Sequence, residues 1–229
     1  FYVADSSHYR QFIETHPAFE RENTVLKEWE IMGSAAGAQL DEAFLRNFEK
    51  NAGDPSLWSA LLCDRRIMNG PFCKVTQDYK PRFSHDRMIL ILQEAAKAIE
   101  NLFDTLRPGL VAAFVPVTFG DYLFYLTAKM RGVKYLQLKS TKIRNFVTFS
   151  DNIHERPSHI YETFRSYEES GAEPGIMSEA VRYIRAAQEK QVTYEGTVLK
   201  SAAPSVLQQR LNAVKLLPVS LKAEIAYRL

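Results

Sequence analysis

The stretch RPGLVAAFVPVTFGDYLFYLTAKMRGVKYLQLKSTKIRNFVTFSD, residues 107–151, decides how this chain is read. After Pro108-Gly109 comes an unbroken apolar run, Leu110 to Val115, stopped by Pro116. The run is too short for a helix and does not alternate. It predicts a strand buried on both faces, as in a parallel sheet covered by helices. A polar bend, Thr118-Phe119-Gly120-Asp121, then leads into helical spacing over Tyr122 to Met130, with Leu123, Leu126, Thr127 and Met130 on one side. Gly132 stands where a helix ends in the left-handed conformation, and Val133 to Leu138 reads as a second strand. Strand, helix, glycine and strand make a βαβ unit, with Leu110–Val115 expected as a central strand and Val133–Leu138 close to it.

Ligands of an open parallel sheet bind outside the carboxyl ends of its strands. Here those ends are Pro116 to Asp121 and Lys139-Ser140-Thr141-Lys142-Ile143-Arg144, the latter bringing three cations and two hydroxyls in six residues. The two rims are expected to face one another across a crevice. Asp121 is the candidate general base, since a carboxylate can take a proton from an attacking hydroxyl. The competing reading is a helix-start acid satisfying loose N–H groups and the helix dipole. Gly120, in the same bend, reads as the supplier of an unusual backbone angle. Thr118, Lys139, Ser140, Thr141 and Arg144 are the candidate substrate ligands; Arg144 offers a planar fork for phosphate or carboxylate. The alternative for that basic run is a solvated loop.

Outward from this stretch, Phe1 to Ala4 reads as a strand, and Asp5-Ser6-Ser7 as the cap of a helix over Tyr9 to Thr15. Asp5-Ser6-Ser7-His8 is a second candidate rim that can share the crevice. Val25 to Met32 alternates like a strand, Gly33 to Gly37 reads as a loop, and Leu40 to Asn51 as a helix. Asp54-Pro55 predicts a helix over Ser56 to Met68, ended by Asn69-Gly70-Pro71. Phe83 to Leu106 carries the longest helical pattern, with Ile89, Leu92, Ala96, Ile99 and Phe103 as its buried stripe. After Asp151 come helical patterns at Tyr161–Ser170, Met177–Glu195 and Pro204–Tyr227. The expected fold class is therefore α/β: a Rossmann-like parallel sheet flanked by helices over residues 1–151, with a helical extension over 152–229.

With 46% hydrophobic and 24% charged residues, the chain has the composition of a globular protein. Its net charge of +2 makes no case for nucleic acid as a partner, and no apolar run reaches the roughly twenty residues of a transmembrane helix. Cys63 and Cys73 lack zinc spacing and are expected as free thiols, and the dispersed histidines hold no metal spacing. Dinucleotide, P-loop and serine-hydrolase motifs are missing from the sequence. The chain opens Phe1-Tyr2-Val3 without Met, as if inside a strand, so a piece of a longer protein is expected.

The segments GDYLFYLTAKMRGVKYLQL and STKIRNFVTFSD also resemble the N-terminal region of bacterial surface- and capsular-polysaccharide biosynthesis proteins. The resemblance rests on Asp121-Tyr122, Ala128-Lys129, Gly132-Val133, Thr141, Ile143 and Ser150-Asp151, and covers about a fifth of the chain. It implies the acceptor-side domain of a GT-B-like glycosyltransferase, cytoplasmic and at most peripheral to the inner membrane. The partners implied are a sugar or glycan acceptor and a further C-terminal domain. That domain would bind the nucleotide-sugar donor; no cofactor is expected in this chain itself. The alternative is a non-catalytic binding or scaffold module of a polysaccharide assembly complex, docking through its helical tail.

Overall fold

The computed structural model describes residues 1–53, 57–68, 81–141, 143, 146–153 and 157–190. In chain order its elements are β1 (Tyr2–Val3), α1 (Ser6–Thr15), α2 (Phe19–Glu22), β2 (Leu26–Lys27), α3 (Glu28–Ser34), a 3-10 turn (Ala35–Gly37), α4 (Glu42–Ala52), α5 (Leu57–Cys63), α6 (Arg65–Met68), α7 (His85–Leu106), β3 (Leu110–Ala113), α8 (Phe119–Met130), β4 (Lys134–Ser140), β5 (Val147–Ser150), α9 (Ser158–Ser170) and α10 (Pro174–Lys190). The mixed α/β class holds, but helices predominate and the sheets are small. Among the described residues, two compact units are distinguished: Phe1–Val111 with Pro116–Tyr135, and Ala112–Val115 with residues 136–190.

The core of the first unit is built on α7. Ser84 caps it, its side-chain oxygen accepting from the Arg87 N–H at 3.3 Å, and Asp86 supplies the favourable charge in the first turn. Its apolar stripe, including Met88, Ile91, Ala95, Ala96, Ile99 and Phe103, is buried against α3, α4 and α8. The helix α8 answers with Phe119, Leu123, Leu126 and Ala128. It ends as its sequence demands: Gly132 takes φ 62°, and the Val133 N–H closes on Ala128 O at 2.8 Å.

Two expected elements came out differently. Val25 to Met32 is a strand only at Leu26–Lys27 and then turns helical, because Glu28, Ile31 and Ala35 fall on one buried face. The expected helix over Ser56 to Met68 breaks at Asp64, whose carboxylate accepts the Arg66 backbone N–H at 2.9 Å and so restarts the chain as α6. Asp54-Pro55 and Asn69-Gly70-Pro71 lie outside the described residues.

The sheets depart most from expectation. β1 and β2 form a parallel pair, Tyr2 opposite Leu26 and Val3 opposite Lys27. The other sheet has the order β3-β4-β5, so among the described residues β3 is an edge strand and not a central one. Leu110 is 48% exposed and Phe114, just beyond β3, 77%. Uniform apolarity here does not mean burial on two faces. β4 and β5 are antiparallel, Gln137 opposite Ser150 and Ser140 opposite Val147. Lys139 and Ser140 are thus paired residues of β4, opposite Thr148 and Val147.

Candidate functional site

The parallel pair β1–β2 carries the polar cleft of the first unit. Ala4, Asp5, Ser6 and Ser7 follow β1, and Glu28, Trp29 and Met32 follow β2. Together with Asp64, Arg66, Arg82, Val117 and Thr118 they line an open cleft of about 630 Å³. Its position obeys the rule that ligand crevices open at the carboxyl ends of parallel strands, applied to a different pair of strands from the one expected. Of the predicted rims, Asp5-Ser6-Ser7 and Thr118 meet here.

Asp5 is fixed by its capping role. Its Oδ1 accepts from the backbone N–H groups of Ser7 (2.9 Å) and His8 (3.1 Å) and from the Ser7 hydroxyl (2.8 Å). The His8 amide, the Ser7 hydroxyl and the His8 ring together hold its carboxyl well below the usual carboxylate range. Deeper lies an ionic knot. Arg66 meets Asp64 as a fork, Nε to Oδ1 at 3.0 Å and Nη2 to Oδ2 at 2.6 Å, while its Nη1 donates to Ala4 O at 3.1 Å. The Phe119 N–H donates to Asp64 Oδ2 at 3.0 Å, tying the start of α8 to the same carboxylate.

Glu28 completes the knot from the first position of α3. Arg66 Nη2 lies 2.6 Å from its Oε1 as an ion-pair contact, without the direction of a hydrogen bond. Neither carboxyl oxygen receives a directed hydrogen bond from the protein, and the side chain is 1% exposed. Burial pushes its pKa up to about 8; Arg66 pulls the other way, and Asp64 and Asp121 add to the rise. Desolvation outweighs the pull of Arg66, whose one guanidinium is divided between two buried carboxyls.

Asp121 forms the capping box of α8. Its N–H donates to Thr118 Oγ1 at 3.1 Å, and its Oδ2 accepts from the N–H groups of Thr118 (3.2 Å) and Val117 (3.3 Å). These bonds supply the helix-start role weighed against general base. Gly120 does not take a positive φ; it allows a close approach, for a Cβ there would lie 1.7 Å from Tyr2 Oη.

Lys139, Ser140 and Thr141 belong to the second unit. Lys139 and Ser140 end β4. Thr141 shapes the hairpin: its N–H donates to Phe146 O at 3.0 Å, and its hydroxyl donates to the same carbonyl at 3.0 Å. Lys142 and Arg144 lie outside the described residues, as does Cys73; Cys63 is a free, exposed thiol. Among the described residues there is no cluster of metal-binding side chains, and no helix is long and apolar enough to cross a membrane.

Reasoning from sequence missed Glu28, Trp29, Asp64, Arg66 and Arg82. Glu28 and Trp29 stood inside an apparent strand. Asp64 and Arg66 stood inside the one helix expected over Ser56 to Met68. A signal was nonetheless present: Asp64 interrupts that helical pattern with a residue type that prefers caps. Compared with known proteins, the chain matches no family model, no curated protein and no solved structure.

Proposed function

We propose that this chain is the acceptor-side domain of a glycosyltransferase-like protein of bacterial surface-polysaccharide biosynthesis, and that the cleft behind β1 and β2 receives the acceptor sugar. The observation that carries the reading is the meeting of the Asp5-Ser6-Ser7 and Thr118 rims in one cleft that Trp29, Arg66 and Arg82 also line. Sugar sites combine an aromatic surface with a few fixed polar groups in this way. The resemblance at residues 107–151 supplies the polysaccharide context. Lys139, Ser140, Thr141 and Arg144 are retained as substrate ligands of the whole protein, and the nucleotide-sugar donor is assigned to a further domain.

The test is transfer of labelled sugar, by the full-length protein, from a panel of nucleotide sugars to oligosaccharide acceptors. Arg82 is exposed at the cleft, so Arg82→Ala should raise the acceptor KM by about tenfold with the fold intact, the scale of one charge-assisted hydrogen bond. A wild-type KM in that variant removes the cleft from acceptor binding. A second reading, a non-catalytic module, draws support from the second unit. There α9 exposes Ile160, Tyr161 and Phe164, and α10 exposes Met177, Val181 and Ile184. Absence of transfer with every donor favours that module.

A further inference from the structure

The strand β5 has its polarity reversed. Thr148 and Ser150 are buried, while Val147 and Phe149, on the opposite face, stand in solvent. Ile143 and Phe146, ahead of β5, are exposed as well. A second apolar surface lies on α9, where Ile160, Tyr161, Phe164 and Tyr167 recur at helical spacing and no residue is buried. Each of these side chains leaves between 36% and 57% of its surface open, and together they form more than a scatter of single residues. The two surfaces do not meet within one chain. Thr148 Oγ1 and His159 Nε2 are hydrogen-bonded at 2.9 Å, which holds the first turn of α9 on the Thr148 side of β5, away from Val147 and Phe149. Yet the surfaces match in charge. Residues 136–150 carry Lys139, Lys142 and Arg144 and no carboxylate, whereas α9 carries Glu162, Glu168 and Glu169 against Arg165 alone. We propose that the second unit is a self-association surface. The apolar stripe of α9 in one copy lies on the Val147 and Phe149 face of a second copy, whose α9 does the same in return. Such an exchange about a two-fold axis closes as a dimer. Two copies placed sheet to sheet would set the like-charged basic runs together, and α9 on α9 would oppose glutamates. The inference is independent of the acceptor-site reading, because all of its residues lie in the second unit.

Sedimentation equilibrium on the full chain reads the association. Wild type should dimerise at micromolar concentration and weaken about tenfold as salt rises from about 0.1 to about 0.5 M, as paired opposite charges are screened. Phe149→Ser and Phe164→Ser change solvent-exposed positions, so each should stay folded by circular dichroism while its dimerisation weakens at least about tenfold. Mixing the two variants is the decisive arm. Their heterodimer keeps one intact contact of α9 on β5, so the mixture should associate about tenfold more tightly than either variant alone. Ile184→Ser, on α10, should associate as wild type does; a loss there moves the contact to α10 and overturns the assignment. A monomeric wild type overturns the proposal, and one that pellets with phosphatidylglycerol vesicles gives the face to a lipid surface instead. Loss of the dimer in Phe164→Ser but not in Phe149→Ser, or a mixture that does not recover, overturns the reciprocal contact. A dimer insensitive to salt overturns the pairing of α9 with the basic run.

Discussion

Gly120 and Glu28 show how tightly single residues are specified around the knot. A Cβ at Gly120 would fall 1.7 Å from Tyr2 Oη, 2.4 Å from Tyr2 Cζ and 2.9 Å from Glu28 Oε2. Gly120→Ala should therefore cost about 1–3 kcal/mol by overpacking, read by denaturant unfolding. Tyr2→Phe removes the nearest atom and should restore part of that loss in the double variant, a positive coupling that unrelated sites would not show. Glu28 predicts a pH dependence whose sign follows from its raised value. Its folded pKa, about 8, lies above the ordinary 4.5, so its stabilisation is fully present below pH 4.5 and is lost as pH rises through 8. Relative to Glu28→Gln, the wild type should lose on the order of a few kcal/mol across that window, measured as the difference in unfolding free energy. Identical profiles would mean that Glu28 does not hold its proton.

Among elements, β3 offers the sharpest contrast between sequence and structure. Its residues are exposed and half-buried in turn, and its position at the sheet edge lets a charge stand in water. Leu110→Lys should change stability by no more than about 0.5 kcal/mol, whereas a central strand would lose several; chemical denaturation decides between them. The features legible in the sequence were those fixed by local chemistry: the Ser84 and Asp5 caps, the long stripe of α7, and the left-handed stop at Gly132. The illegible ones depended on partners far along the chain. Nothing within Leu110–Val115 says whether one neighbour or two will pair with it, and nothing within Lys139–Arg144 says that β5 will fold back antiparallel. The cleft itself was half legible. Asp5-Ser6-Ser7 and Thr118 stood out as strand-end polar groups, but Glu28 and Asp64 become a site only when α3, α6 and α8 converge.

For the molecule as a whole, the distribution of burial predicts a gradient of local stability. Backbone amides near Ile91, Ala96 and Ile99 sit in a helix packed by α3, α4 and α8, while α9 has no buried residue. Hydrogen exchange should protect the α7 amides longest and release those of α9 orders of magnitude sooner, an ordering that mass spectrometry can check. Equal rates would contradict this picture of the core. The first unit is also discontinuous along the chain, since Ala112–Val115 belongs to the second unit while Pro116–Tyr135 returns to the first. That has a consequence during synthesis. When Leu106 has left the ribosome, α7 is complete, but the surface it reserves for α8 is still bare, and it stays bare until Met130 follows. A nascent chain paused in that interval displays an apolar helix face to the cell. For this protein, the timing of translation between those two points sets how long chaperones have something to hold.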